Sequence, residues 1–206
     1  MSGTGVAARV AALCLDPRGR PGDWSVCGPA VRAGLLLDLG LDGRVTQTAD
    51  SVVVDRSPTG SAAADRLLAA IATGPERSLD SWVEDGPVGL RDVADAEVAA
   101  GRWHRRRLRW RRDRFVPDRE RLDVDRTRDP GLLDDGWSAG DAAVVAVALA
   151  AGLRGGGPVP PAAELVAATG AAAWLCGAVT EHLHATARRY RAQATALRAG
   201  DAPGPA

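Results

Sequence analysis

Between Arg102 and Arg114 the chain sets eight arginines and two tryptophans, Trp103 and Trp110, against a single aspartate. The whole chain balances 26 basic against 26 acidic side chains, so this segment carries +7 and the remainder −7. Unpaired guanidinium groups cannot be buried, because desolvating them costs more than packing two indoles returns. The chemistry on offer is anion recognition, with planar forks that donate bidentately to phosphate or carboxylate. The partner is then a membrane surface, a nucleic acid or an acidic protein face. The chain has no lysine and no asparagine. So complete a replacement of lysine points to genomic base composition rather than to selection at this segment.

Two further places could meet an anion. Trp24 follows a turn rich in glycine (Gly19, Gly22), and eight residues later Arg32 interrupts the apolar run 31–41. An arginine there either faces solvent or aims at negative charge near a helix N-terminus. On spacing alone the solvent face is the simpler reading, and with it an exposed side chain. Arg91, at the start of a predicted helix just before the basic segment, is equally open.

Signatures of catalysis are missing. The chain has no GxSxG, GxGxxG, P-loop or HExxH motif, so no enzymatic activity and no cofactor are expected. His182 and His184, two apart on a helix, point to different faces and read as solvent-facing side chains rather than metal ligands. Cys14, Cys27 and Cys176 show no CxxC spacing and read as core thiols in a reducing compartment. Asp16, Asp55 and Asp85 adjoin turn residues, where carboxylates cap backbone donors. Residues 142–153 form the longest uncharged apolar run, too short to span a bilayer. A soluble intracellular protein is expected, with any membrane contact peripheral.

The elements that must position these residues are mainly helical, since Ala, Val and Leu dominate while aromatics make up 4%. The spacing predicts helices over 29–41, with Pro29 in the first turn, and over 61–72, 79–83 and 90–100, the last closed by Gly101. Asp141 is expected to cap an apolar helix running to residue 153, and a final helical region spans 162–197 with a break near Gly170. Val52-Val53-Val54 suggests a strand. The basic segment alternates without Gly or Pro and is predicted as a β-hairpin turning near 108–110, with an arginine-rich helix as the alternative. Residues 118–141 read as a charged loop. The expected architecture is mainly α: a single helical domain over 6–198 with a protruding basic β-hairpin, and a disordered tail over 199–206. Leu35, Leu36, Leu39, Val144, Val147 and Leu149 should share its core.

Several segments, in order, resemble the Golgi phosphoprotein 3 family of peripheral membrane proteins. Leu13-Cys14-Leu15-Asp16-Pro17-Arg18-Gly19 is similar to that family's apolar strand and acidic-Gly turn, and residues 24–45 to its first core helix. Ser57-Pro58-Thr59-Gly60 with Asp65, then Leu90-Arg91-Asp92-Val93 with Gly101, and finally residues 142–153, resemble later family segments. The resemblance implies binding of phosphatidylinositol 4-phosphate through a tryptophan, an arginine of the first core helix and two arginines three apart before the hairpin. By position these fall on Trp24, Arg32 and Arg91, with the fourth on Ala94. They would then converge on a shallow surface pocket, on the face that also carries the hairpin.

The hairpin residues Arg105, Arg107, Leu108, Arg109, Trp110 and Arg111 would touch the membrane. The resemblance further implies the cytoplasmic face of a membrane (the Golgi in eukaryotic relatives), with self-association through the hairpin and client membrane proteins as further partners. Two other readings compete. A helix followed by a basic hairpin also describes a winged-helix nucleic-acid-binding module, although Asp92, Asp95 and Glu97 make residues 90–100 a poor groove face. Alternatively, the hairpin pairs with acidic surface such as Asp134, Asp135 and Asp141, or with a second subunit. An anionic phospholipid surface is the reading preferred here.

Overall fold

The computed structural model describes residues 4–48, 51–108, 111–127, 137–154 and 161–200. The helix α2 (Trp24–Leu41) is its axis. From Cys27 to Gly40 all but one of its residues are buried, as befits a helix with no continuous polar face. Around it pack α1 (Val6–Leu13), α3 (Ala62–Thr73), α4 (Leu79–Asp85), α5 (Leu90–Ala99), α7 (Ala139–Ala150) and α9 (Ala173–Gly200). Leu35, Leu36, Leu39, Val144 and Val147 lie in one core, with Leu149 half-buried against it. The mainly helical architecture is as expected.

Helix α2 begins earlier than expected. Asp23 caps it, its carboxylate accepting from the Ser25 amide at 3.0 Å, so Pro29 lies inside the helix rather than in its first turn. The run 6–13 is helical, and of the segment 13–19 that resembles a strand and turn only Leu15 pairs, in a single antiparallel bridge with Pro21. The alanines of 6–13 suit a helix, and Asp38 of α2 accepts from the amides of Val6 (2.7 Å) and Ala7 (3.0 Å), supplying the cap that Gly5 lacks. The two helices touch closely: a Cβ on Gly34 would stand 2.8 Å from the Ala7 Cα.

Val52–Val54 is a strand (β2), paired antiparallel with β1 (Val45–Gln47). Helix α6 (Arg119–Thr127) occupies what the sequence suggested was loop. Its partner explains it. Arg9, 4% exposed, reaches from α1 to Asp125 of α6 and to Asp141 of α7, clamping three helices with one buried cation. Ser138, not Asp141, caps α7. Asp141 sits one turn in and accepts from the Ser138 amide and hydroxyl. Burial pushes the Asp141 carboxyl up, but those hydrogen bonds and Arg9 outweigh it and hold it well below the usual carboxylate range.

The final helical region breaks where expected, into α8 (Ala162–Ala167), a 3₁₀ turn at Gly170–Ala172 and α9. Helix α9 continues to Gly200, and the tail expected beyond it lies outside the described residues. Asp134 and Asp135 are also outside them.

Candidate functional site

The basic segment is a hairpin, with strand β3 (His104–Leu108) antiparallel to strand β4 (Arg111–Val116). Arg109 and Trp110 lie outside the described residues, as do the side chains of Arg107, Leu108 and Arg111. The base of the hairpin is not a free projection. Trp103 and Phe115, each 3% exposed, join the core, and the Phe115 amide donates to the Gly19 carbonyl at 3.1 Å. Arg102 pairs with Glu97 at 2.7 Å, and Arg105 with Asp95. Two of the three acids of α5 that weakened the winged-helix reading, Asp95 and Glu97, thus neutralise the hairpin's root, while Asp92 pairs with Arg66 of α3. An i, i+4 rule does not reveal the two hairpin pairs, because the chain reverses at Gly101 between their partners.

Trp24, the first residue of α2, exposes 58% of its surface. The outer edge of its ring reaches Gly89, the N-cap of α5, where an added Cβ would lie 3.9 Å from Cζ2 and Cη2. Arg91 follows in the first turn of α5 with its side chain 69% exposed, its Nε 4.0 Å from Asp95. Because Asp95 also pairs with Arg105, a row of charges runs along α5 from its N-terminus to the hairpin.

Arg32 is buried, at 8% exposure, rather than facing solvent. Its Nε donates to the Val83 carbonyl at 2.5 Å and its Nη2 to that of Glu84, the last carbonyls of α4. Trp24, Gly28 and Arg32 recur every four residues along one stripe of α2. Gly28 leaves room for the guanidinium, and a Cβ on Gly86 would strike the Arg32 Cδ at 2.8 Å. Burial lowers the affinity of Arg32 for its proton, opposed by the carboxylates of Asp85 and Glu84. Trp24 and Arg32 therefore hold opposite ends of the 86–89 loop, and Arg91 stands two residues beyond it. Arg32 donates inward and Arg91 points outward, with no described contact joining their guanidinium groups. Ala94 is fully buried, so its position faces the core and not the surface that Arg91 faces.

Side chains of α9 hold α4 from behind. His182 of α9 sets Nδ1 3.0 Å from Asp80 and Nε2 2.9 Å from Glu84, and Thr186 donates to the same Glu84 carboxylate at 2.8 Å. His182 is thus an interhelical tie instead of a solvent-facing side chain, whereas His184 is exposed. The three cysteines are free and buried. Among the described residues no cluster of candidate metal ligands occurs, and no helix is long and apolar enough to cross a membrane.

The geometry defines a mainly α-helical protein that carries a basic β-hairpin and, at the start of α5, an exposed tryptophan beside an exposed arginine. The sequence matches the model of the Golgi phosphoprotein 3 (GPP34) family over residues 6–206, nearly its whole length, and the chain belongs to that family. No curated protein matches it.

Proposed function

We propose that this protein binds anionic phospholipid headgroups at a membrane surface without spanning it, and acts there as an adaptor rather than a catalyst. Phosphatidylinositol 4-phosphate is the headgroup that family membership favours. The observation that carries the reading is the exposed indole of Trp24 seated against the N-terminus of α5 beside the exposed Arg91. An indole is at home in the interfacial layer. The helix N-terminus and the arginine both favour a phosphate. Arg32 acts as a positioning residue, holding the 86–89 loop on which these groups stand. Each hairpin arginine near an acidic leaflet adds about 1 kcal/mol, so several together assist without a complete pocket.

Vesicle flotation tests the proposal, using phosphatidylcholine vesicles doped with phosphatidylinositol 4-phosphate or with phosphatidylserine at matched charge. The protein should float with both, better with the phosphoinositide, and less as salt shortens the Debye length. Trp24→Ala and Arg91→Ala should each reduce flotation while leaving the melting temperature in place, since both side chains are exposed. Binding unchanged by both substitutions would remove the site. Displacement by duplex DNA more readily than by free headgroup would favour the nucleic-acid reading.

A further inference from the structure

A cavity of about 460 Å³ opens at the root of the hairpin, away from the contacts made by Trp24 and Arg32. Four chain segments meet there: the 15–19 turn, β3, β4 with the residues after it, and α6. Five arginines line it against two aspartates. On α6 the lining residues Arg119, Leu122, Asp123 and Arg126 follow the i, i+3, i+4, i+7 spacing of a single helix face.

The charges are unbalanced in a specific way. Arg106 and Arg114 are direct cross-strand partners, and like charges so placed destabilise a hairpin unless something anionic lies between them. Among the described residues, Arg18, Arg106, Arg114 and Arg119 form no ion pair. Asp16 supplies a single negative charge, held below the usual carboxylate range by the amides of Arg20 (2.9 Å) and Arg18 (2.8 Å) and by the charges of those two arginines, so it offsets only part of the cavity's positive charge. Arg126 is partly engaged, donating to the Leu15 carbonyl at 3.2 Å. Beneath them lie Leu15 and Leu122, both buried, an apolar floor that strengthens charge interactions above it.

Guanidinium groups are donors only, so a ligand that satisfies four of them must supply several acceptor oxygens and negative charge. We propose that this cavity is a second anion site, distinct from the Trp24–Arg91 surface, that takes a ligand bearing two or more phosphate groups. Its walls are the turn that carries Arg18, the Arg106–Arg114 pair and the Arg119 face of α6. Such a ligand bridges the cross-strand pair and locks the hairpin to α6. It is either a multiply phosphorylated lipid headgroup or a soluble polyphosphate.

Titration calorimetry of the full chain with inorganic pyrophosphate at low salt tests this. The unmodified protein and Arg91→Ala should bind alike. Arg119→Gln should weaken binding about tenfold, and Arg106→Gln with Arg114→Gln by more, from the loss of charge-assisted hydrogen bonds. The double variant removes a like-charge contact, so its melting temperature without ligand should not fall. If it fails to fold, Arg119→Gln, on the exposed side of α6, still decides. Vesicles containing phosphatidylinositol 4,5-bisphosphate that displace pyrophosphate would assign the site to a lipid headgroup. Retention of pyrophosphate against those vesicles would assign it to a soluble ligand. No pyrophosphate binding, or binding lost in Arg91→Ala but intact in Arg119→Gln and the double variant, would overturn the proposal.

Discussion

Replacing Arg32 by alanine separates two roles that the same residue could play. In the structure its guanidinium donates to the carbonyls of Val83 and Glu84, which have no partner within α4. A hydrogen bond from a charged group contributes about 1.5–3 kcal/mol, and a buried acceptor left unpaired costs about 1–3 kcal/mol. Water can reach the half-buried Glu84 end, so the two bonds together are worth roughly 3–5 kcal/mol. That is a large share of the ~5–15 kcal/mol that holds a domain folded. For a chain of 206 residues the slope lies at the upper end, about 2–3 kcal/mol per molar urea, so the unfolding midpoint should drop by roughly 1–2.5 M. Arg32→Lys keeps the charge but reaches only one carbonyl, so about half the loss should remain. Both variants should be measured by urea denaturation alongside vesicle flotation at a temperature where each is folded. If Arg32→Ala unfolds at the unmodified protein's midpoint yet no longer floats, the guanidinium contacts the headgroup directly and the positioning role is wrong.

Three further outcomes follow from the core. Arg9→Ala leaves Asp125 and Asp141 buried without their shared cation, which should cost about 3–5 kcal/mol in thermal unfolding; adding Asp141→Asn should recover part of it, and a loss below about 1 kcal/mol would contradict the clamp. Burial raises the Asp38 carboxyl to about 6, opposed by the amides of Ala7 and Val6, with Asp42 and Glu97 adding to the rise. Between the unfolded value near 3.9 and that value, the native state therefore holds more protons than the unfolded one. Stability contributed by Asp38 is complete below about pH 4 and falls by up to roughly 3 kcal/mol as pH rises through 6. Asp38→Asn should remove that slope from denaturation curves, and a carboxyl resonance titrating near 4 would refute it. Gly34→Ala pushes a methyl onto the Ala7 backbone and should destabilise by about 1–3 kcal/mol, read as a lower melting temperature.

Local chemistry was enough to place most of the helices. The apolar runs of α2 and α7 and the turn at Gly101 each act within a few residues of chain, and the structure has them at or near those positions. Alternation of charge and hydrophobe likewise marked the hairpin before any partner was visible. Where a partner distant in sequence decides, the sequence alone misled. Residues 119–127 look like a loop because their polar content hides a helix that docks through Asp125 onto Arg9, 116 residues away. Arg32 looks solvent-facing by spacing alone, yet tertiary packing delivers two unpaired carbonyls from α4, and a guanidinium among acceptors can be buried at little cost. His182 turns inward for the same reason, finding Asp80 and Glu84 on a helix about a hundred residues earlier. The sequence by itself therefore determined how much positive charge this protein carries and on which element. Only the tertiary structure decided which arginines are neutralised by α4 and α5 and which are left facing an open cavity, because burial and pairing depend on groups that folding brings together.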